Sequence, residues 1–268
     1  MQNLFQNGNL IFVWLYISAL FMARYIIIAG IAYLWLWKWK VADFEKWRIQ
    51  KSFPENRHLW RDFYYSVSAM AIFATVGLFV VLAMRAGLTR IYFSLDEYSI
   101  SALGSSSGWI YFIFSIILIL LFHDAFFYWA HRFMHLRGVY QRVHLIHHLS
   151  TNPSPWTAFA FHPFESVLEA LVLPLAVIVI PLHLYAIIAF LIIMTIMNVI
   201  GHLGFEMYPS GFVSHPLGKW NNTSTHHNMH HNFVNANYGL YFNWWDSWMK
   251  TNHPDYIRTF EKIKKNTA

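Results

Sequence analysis

The chain has 268 residues, of which 57% are hydrophobic and only 12% charged, against about 25% charged in a soluble domain; an ordinary water-soluble domain is excluded. Its formal charge of +6 fits a face lying against anionic lipid, and apolar spans leave little soluble surface for nucleic acid. Cysteine is absent, which removes disulfides, thiolate catalysis, iron–sulfur clusters and Cys-ligated zinc, while sixteen histidines direct attention to an all-nitrogen or nitrogen/oxygen metal site.

Residues 10–36 can cross a bilayer with tilt. The N-terminus before them lacks a basic region and the apolar run is too long for a secretory signal, so it reads as a retained span. Arg24 near its middle is costly in lipid and is expected to face the protein interior, paired with Asp124 or Glu169. Residues 38–62 carry seven Lys/Arg against four Asp/Glu, and the first nine residues carry no charged side chain. The positive-inside rule then places the 38–62 loop in the cytoplasm and the N-terminus outside, with Trp35, Trp37, Trp39 and Trp47 in an aromatic belt. Residues 63–84 form a second span. The link over 85–108 closes with the loop signal GSSSG, and 109–130 form a third span. The apolar run 167–200 is too long for one span and is interrupted at Pro174 and Pro181, so a helical hairpin is expected, with His183 structural at its far end. The expected fold is therefore all-α: a four-helix transmembrane bundle that includes this hairpin, in a single membrane domain over 1–268. A cytoplasmic helical cap, 131–166 and 201–268, carries the histidines. Either a bacterial inner membrane or the endoplasmic reticulum suits such a chain. Asn222 opens a formal glycosylation sequon that a cytoplasmic cap would never expose to the glycosylation machinery.

Six of the histidines fall within residues 123–148. His131 and His135 are spaced i, i+4; His144, His147 and His148 are spaced i, i+3, i+4, so each set shares a helix face. Imidazole is the commonest transition-metal ligand, and paired histidines on helices build metal sites in bundle cores. The second pattern recurs as His227, His230 and His231, with His226 beside them; the four cover an arc of roughly 140° on one helix. His202 adds a further candidate, and Asn198 sits one helical turn before it on the same face. Nine imidazoles are too many for one ion, so two metals are expected. His226 is open between a ligand and a donor behind one. On an unbroken helix the second set would face roughly opposite to the first, so the chain must end or bend its helix near residues 137–139, where Gly138 can supply the break. His123, about 80° round from His131, and Asp124 are expected behind the ligands. His162 is expected to orient a ligand or line the substrate entrance, with Glu165 an acceptor for an imidazole N–H. Neither HExxH nor ExxH occurs, so thermolysin-type zinc sites and ferritin-like carboxylate sites lack their signatures.

The run of motifs HD-x3-YW-x-HR-x2-H, HxxHH, PSPWTAFAFHPFE, NVIGHLGFE, THHNMHH, NANYG and WWD, over about residues 110–250, resembles the fatty acid hydroxylase/sterol desaturase superfamily, and sterol C5-desaturase-type members most. The resemblance implies a membrane-embedded non-haem di-iron oxygenase with two Fe ions held by these histidines and O2 as co-substrate. It further implies that Asn198, in an Asn-x3-His pattern similar to that of acyl-CoA desaturases, holds a metal through water. Lys250-Thr251 stands where the family has Gly-Thr, and the first 100 residues match in hydropathy alone.

The implied activity is hydroxylation or desaturation of a lipid of sterol or fatty-acyl type. Neutral ligands leave the centre strongly positive, and the sequence contains no flavin, haem or iron–sulfur domain of its own. A separate electron donor is therefore expected, a cytochrome b5, a ferredoxin or a reductase, docking on Lys38, Lys40, Arg132, Arg137 and Arg142. Two readings from other classes remain open: a zinc-dependent membrane lipid hydrolase and a bis-His haem electron carrier.

Overall fold

The structure, a computed structural model, describes residues 1–99 and 107–265. A short helix α1 (Gln2–Asn7) precedes α2 (Leu10–Tyr33), which starts where the Asn9 side chain accepts the Ile11 N–H and runs on as a π-helical segment, Leu34–Trp39. A single turn α3 (Val41–Phe44) leads to α4 (Asn56–Arg85). This helix begins seven residues before the expected span. The extra turns carry the buried Asp62, whose carboxylate accepts from the Ser150 and Thr157 hydroxyls at 2.7 Å and so ties the helix to the segment after the first histidines. Arg85 at the other end donates to the carbonyls of Phe5 and Gly8, satisfying backbone groups that α1 leaves free.

After strand β1 (Ile91–Tyr92), α5 spans Ser107–Met134. The GSSSG loop signal therefore lies partly in a helix; its residues 104–106 fall outside the described residues, as do 266–268 of the expected cap. Two short helices, α6 (Tyr140–Val143) and α7 (Leu145–His148), follow. The expected hairpin is present with a broken rising arm, α8 (Pro163–Ala170) and α9 (Val172–Val179), and a continuous returning arm, α10 (Leu184–Gly201). Among the described residues, four helices are long and apolar enough to cross a membrane: Leu10–Trp39, Asn56–Arg85, Ser107–Met134 and Leu184–Gly201. The turn between the arms is not wholly irregular. Strand β2 (Leu182–His183) pairs in parallel with β1, because both connections lie at the same end of the bundle and their free backbone groups need partners. His183 is structural there: one ring nitrogen accepts the Tyr185 N–H, and the other donates to the Phe93 carbonyl at 3.0 Å.

Antiparallel α2 and α4 pack through Ile17 on Gly77, Trp14 Nε1 to Thr75 Oγ1 at 3.1 Å, and the Tyr25 ring against Phe63. Phe21, Tyr25, Met70, Phe159 and Val199 form one buried apolar cluster, and Ile119, Val177, Leu182 and Phe190 another. At the end opposite the two strands, α11 (Ser224–Phe233), α12 (Trp244–Trp248) and α13 (Tyr256–Lys265) close a cap around Val213, Met229, Tyr256 and Phe260. Trp37, carried by the π-helical segment, donates to the Leu203 carbonyl at 2.8 Å and so joins α2 to the cap. Residues 224–231 of α11 are all buried although they are almost entirely polar. A buried polar helix requires partners, and they are the histidines.

The expected ion pair of Arg24 is not formed. Asp124 instead accepts from the backbone N–H groups of Tyr241 and Phe242 and from Trp244 Nε1, and Glu169 belongs to α8. The Arg24 guanidinium lies over the Phe21 ring, 4.6 Å from its centre.

Candidate metal centre

The helix carrying His131 ends at Met134, and Gly138, at φ +86°, turns the chain before α6 begins at Tyr140. The break expected at 137–139 thus falls within a turn over 135–139. Its consequence is that His144 and His148 face back onto His131 and His135. With His230 these four form one group. His147, His202, His227 and His231 form a second, and in each group the candidate ligand atoms all lie within 4.8 Å of one another. The nine histidines expected as ligands are the nine so gathered. One group takes its members from α5 and the turn after it, α6–α7 and α11, the other from α7, the residue that follows α10, and α11.

Four rings are locked by what their Nδ1 atoms touch. His131 donates to the Tyr238 carbonyl at 2.8 Å, His202 to the Asn198 carbonyl at 2.7 Å, and His230 to the Ala236 carbonyl at 2.6 Å; His144 Nδ1 lies 2.7 Å from Glu165 Oε1. A carbonyl can only accept, so the proton sits on Nδ1 and Nε2 keeps its lone pair. Yet His131 Nε2 and His144 Nε2 are 3.0 Å apart, and His202 Nε2 stands 3.0 Å from His227 Nε2 and 3.2 Å from His231 Nε2. A facing ring that carries its proton on Nε2 can fill one such contact, but His202 Nε2 meets Nε2 of His147, His227 and His231 at once and its single lone pair accepts from only one, whereas a cation among them would be shared by all. Both ring nitrogens of His135 and His148 and Nε2 of His230 are buried with no hydrogen-bond partner, and coordination would satisfy one nitrogen of each of these rings. Burial and the neighbouring imidazoles hold His144, His147, His227, His230 and His231 well below the usual histidine range; His148 is lowered to about 3 and His202 to about 4, chiefly by burial. All are neutral donors near pH 7. Two all-imidazole sets of five and four fit d-block ions such as iron, zinc or copper.

The remaining candidates are placed differently. His226 belongs to neither group: it is at the edge of the arc on α11, and its ring turns to Asn252 Oδ1 at 3.3 Å and Asp246 Oδ2 at 3.6 Å. Asn198 Nδ2 donates to the Ala158 carbonyl at 2.6 Å, and its own carbonyl orients His202. His123 Nδ1 lies 2.6 Å from the Tyr241 hydroxyl, and Asp124 anchors the 241–244 segment. His162 caps α8 by accepting the Phe164 N–H. Glu165 does touch an imidazole; burial and the nearby Glu169 push its carboxyl well above the usual range, and a cation on His144 Nε2 would act the opposite way.

Sequence reasoning missed the residues that hold the orienting carbonyls. Asp246, fully buried, accepts from the Tyr238 N–H at 2.9 Å, the Gly239 N–H at 2.7 Å and the Thr251 hydroxyl at 2.7 Å, and so fixes the loop that reaches His131 and His230. Glu206 accepts from Thr225 N and Oγ1 and thereby holds the first turn of α11. The available signal was WWD, which Asp246 closes, and NVIGHLGFE, which Glu206 closes.

A narrow cavity of about 50 Å3 ends against Phe127, whose ring lies 5.1 Å from that of His131, and Phe161, 5.2 Å from that of His147, so that these two rings stand between it and the histidine groups. It is lined mostly by apolar side chains, with Arg24, His123, Glu169 and Asn198 among them. At Phe21, Arg24, Gly77, Leu173 and Leu191 it adjoins a wider apolar groove of about 1540 Å3, counting its open face. Leu20, Ile27 and Ile192 put that groove on the outer surface of the helices.

Comparison with known proteins fits this geometry. The family described as "Fatty acid hydroxylase" matches residues 116–251, which hold all nine grouped histidines. A lathosterol oxidase from Mus musculus is 33% identical over 172 residues, 64% of this chain and 53% of that protein. One from Homo sapiens is 31% identical over 186 residues, 69% and 58% of the two chains. A Delta(7)-sterol 5(6)-desaturase from Gibberella zeae is 30% identical over 162 residues, 60% and 46%. The matches thus span about half the length of these relatives. No solved structure matches the chain.

Proposed function

The chain belongs to the fatty acid hydroxylase family, and we propose that it is a membrane-bound non-haem di-iron oxygenase that hydroxylates or desaturates a lipid using O2 and external electrons. The observation that carries this reading is the placing of two imidazole groups one aromatic ring, Phe127 or Phe161, beyond the inner end of an apolar cavity whose groove opens on the outer surface of the helices. His131, His135, His144, His148 and His230 would hold one iron, and His147, His202, His227 and His231 the other; Asn198 would contribute through water, and His226 would stay outside. When bound, the irons supply activation of O2 and removal of hydrogen from an unactivated C–H. The chain itself supplies the rest. Glu165 and the carbonyls of Tyr238, Asn198 and Ala236 hold the imidazole tautomers. Phe127 and Phe161 present the lipid to the centre and keep bulk water from it.

The sterol-acting relatives favour a sterol among lipid substrates. Electrons would come from a cytochrome b5, a ferredoxin or a reductase, docking where Lys38, Lys40, Arg137 and Arg142 lie exposed. In this reading the histidine cap lies on the cytoplasmic side of a single membrane domain and the N-terminus outside. A haem carrier is disfavoured, because the rings lie too close together for a macrocycle among them. A zinc hydrolase shares the ligand chemistry and is the reading to test against. Anaerobic reconstitution with iron should load two ions per chain, and lipid products formed under 18O2 should reveal hydroxylation by label and desaturation by loss of two hydrogens. Fewer than two metals at full activity, or zinc supporting turnover without O2 or reductant, would overturn the reading.

A further inference from the structure

A series of oxidisable rings joins one histidine group to the surface of the cap, and the lipid reaction uses none of them. The Tyr238 ring stands 5.1 Å from that of His135 and 5.7 Å from that of His131. Tyr128 lies 6.2 Å beyond it, Trp245 stacks on Tyr128 at 5.7 Å, and Trp248 follows at 5.5 Å. Trp129 meets Trp245 at 6.0 Å. The inner end is sealed and the outer end open: Tyr128 is fully buried, whereas Trp129 is 46% and Trp248 62% exposed. The ring series that leaves His147 differs in kind. It runs through Phe161, Phe159 and Tyr25 to Phe63 and Trp60, and phenylalanine does not give up an electron to ordinary oxidants.

Tyr128 also has somewhere to put its proton. The single proton of the Thr251 hydroxyl is donated to Asp246 Oδ1 at 2.7 Å, so Tyr128 must be the donor in the 3.0 Å bond between the two hydroxyls. Asp246 accepts the N–H groups of Tyr238 and Gly239 as well, as an ionised carboxylate does. A phenol loses an electron far more readily when its proton leaves in the same step. A ring placed for packing alone needs no such relay.

We propose that Tyr238, Tyr128, Trp245 and Trp248 form an escape path that carries oxidising equivalents from the metal centre to the surface when no lipid C–H is there to receive them. The proposal rests on reading the grouped histidines as an O2-activating metal centre. In each passage Tyr128 loses one electron through the Tyr238 ring and its phenolic proton to Thr251, which passes its own proton to Asp246. An electron from Trp245 restores Tyr128 and the two protons return. The deficit then stands on Trp248, which a thiol or other one-electron reductant in solution fills. Two passages replace the two electrons that the lipid C–H would have given; two thiols supply them, with two protons, and end as a disulfide.

The test is treatment of the washed, iron-loaded full chain in detergent, without lipid or thiol, with hydrogen peroxide as the two-electron oxidant and a hydroxyl-radical scavenger in solution. Oxidised tryptophans are mapped by peptide mass spectrometry, freeze-quenched samples are read by electron paramagnetic resonance, and iron is counted on the same material. Trp39, 74% exposed, and Trp60, 60% exposed, are the internal controls. The expected result is roughly fivefold or more oxidation of Trp248 and Trp129 over these controls, with a tyrosyl signal that narrows when the protein carries ring-deuterated tyrosine. Iron-stripped protein should show neither. Tyr128→Phe should lose both at unchanged iron content, and Trp245→Leu should lose the tryptophan bias and carries the test if Tyr128→Phe does not fold. Thr251→Val leaves every ring in place and removes the proton acceptor, so it too should lose the tyrosyl signal. Equal oxidation of Trp39 and Trp248, a bias that survives Tyr128→Phe, or oxidation gathered on Tyr140 beside His135 would each overturn the path. Two irons per chain without the bias would leave the oxygenase reading standing; the bias with fewer than two would overturn the di-iron reading and leave the path standing. A chain that takes up no iron would overturn both.

Discussion

Each imidazole in the centre needs a lone pair aimed inward, and for His131, His144, His202 and His230 that aim is set by an acceptor on the opposite nitrogen. Glu165 is the only one of these acceptors that a substitution can change without moving the backbone. Glu165→Gln keeps an oxygen near His144 and loses the charge that makes the imidazole a stronger donor. Metal affinity measured by competition with a chelator should fall roughly tenfold to a hundredfold, with the fold intact by circular dichroism; unchanged affinity would reduce Glu165 to packing. Asp246 acts one step further back. Asp246→Ala strands two backbone N–H groups and a hydroxyl in a buried site, at roughly 1–3 kcal/mol per group, so a fall in melting temperature should accompany loss of metal. The histidine positions were legible because helix spacing alone puts i, i+3 and i+4 on one face. The carbonyls of Tyr238 and Ala236 were not, because a backbone acceptor has no residue type to betray it and its position depends on a loop clamped by Asp246 from eight and ten residues away.

At the scale of elements, helix phase made the turn after α5 legible: without a reversal the two histidine sets point apart. The reversal depends on Gly138, whose φ of +86° is unfavourable for any side chain, although an added Cβ would meet nothing within 4 Å. The cost of substitution there is purely conformational. Gly138→Val should destabilise by roughly 1–3 kcal/mol, and Gly138→Asn by less, because asparagine tolerates the left-handed region. Both should retain two metals per chain once folded; a metal deficit in folded Gly138→Val would mean that the turn tunes the ligand set as well as delivering it. Other elements left no such trace. The π-helical segment over Leu34–Trp39 goes with a contact between distant parts of the chain, Trp37 with Leu203; the break at Leu171, by contrast, stands where the sequence puts Pro174, which lacks an N–H and crowds the carbonyl of Ala170. Hydropathy marked where apolar segments stop but not where helices do, and so α4 extends past its span to bring Asp62 to Ser150.

For the whole molecule, the centre makes stability depend on protons and on metal through the same atoms. An unfolded histidine titrates near 6.5, whereas in the folded chain His148 is lowered to about 3, His202 to about 4, and His144, His147, His227, His230 and His231 well below their usual range, all chiefly by burial. Above pH 6.5 neither state binds these protons and stability is full. As pH falls below 6.5 the unfolded chain takes up protons that the folded chain refuses, so stability declines toward pH 3–4, with a slope set by the number of histidines involved. Bound metal acts in the same direction, since it too requires bare nitrogen and binds the folded state alone. The melting temperature should therefore be flat near pH 7–8, fall steeply below 6.5, and fall further at every pH when a chelator strips the protein. Histidine-to-asparagine changes at His147 and His231 should flatten the acid limb of the stripped protein while abolishing one of the two bound ions. A melting temperature independent of pH from 7 to 4 would mean that the imidazoles carry protons in the fold, and no pair of metals could then occupy the cap.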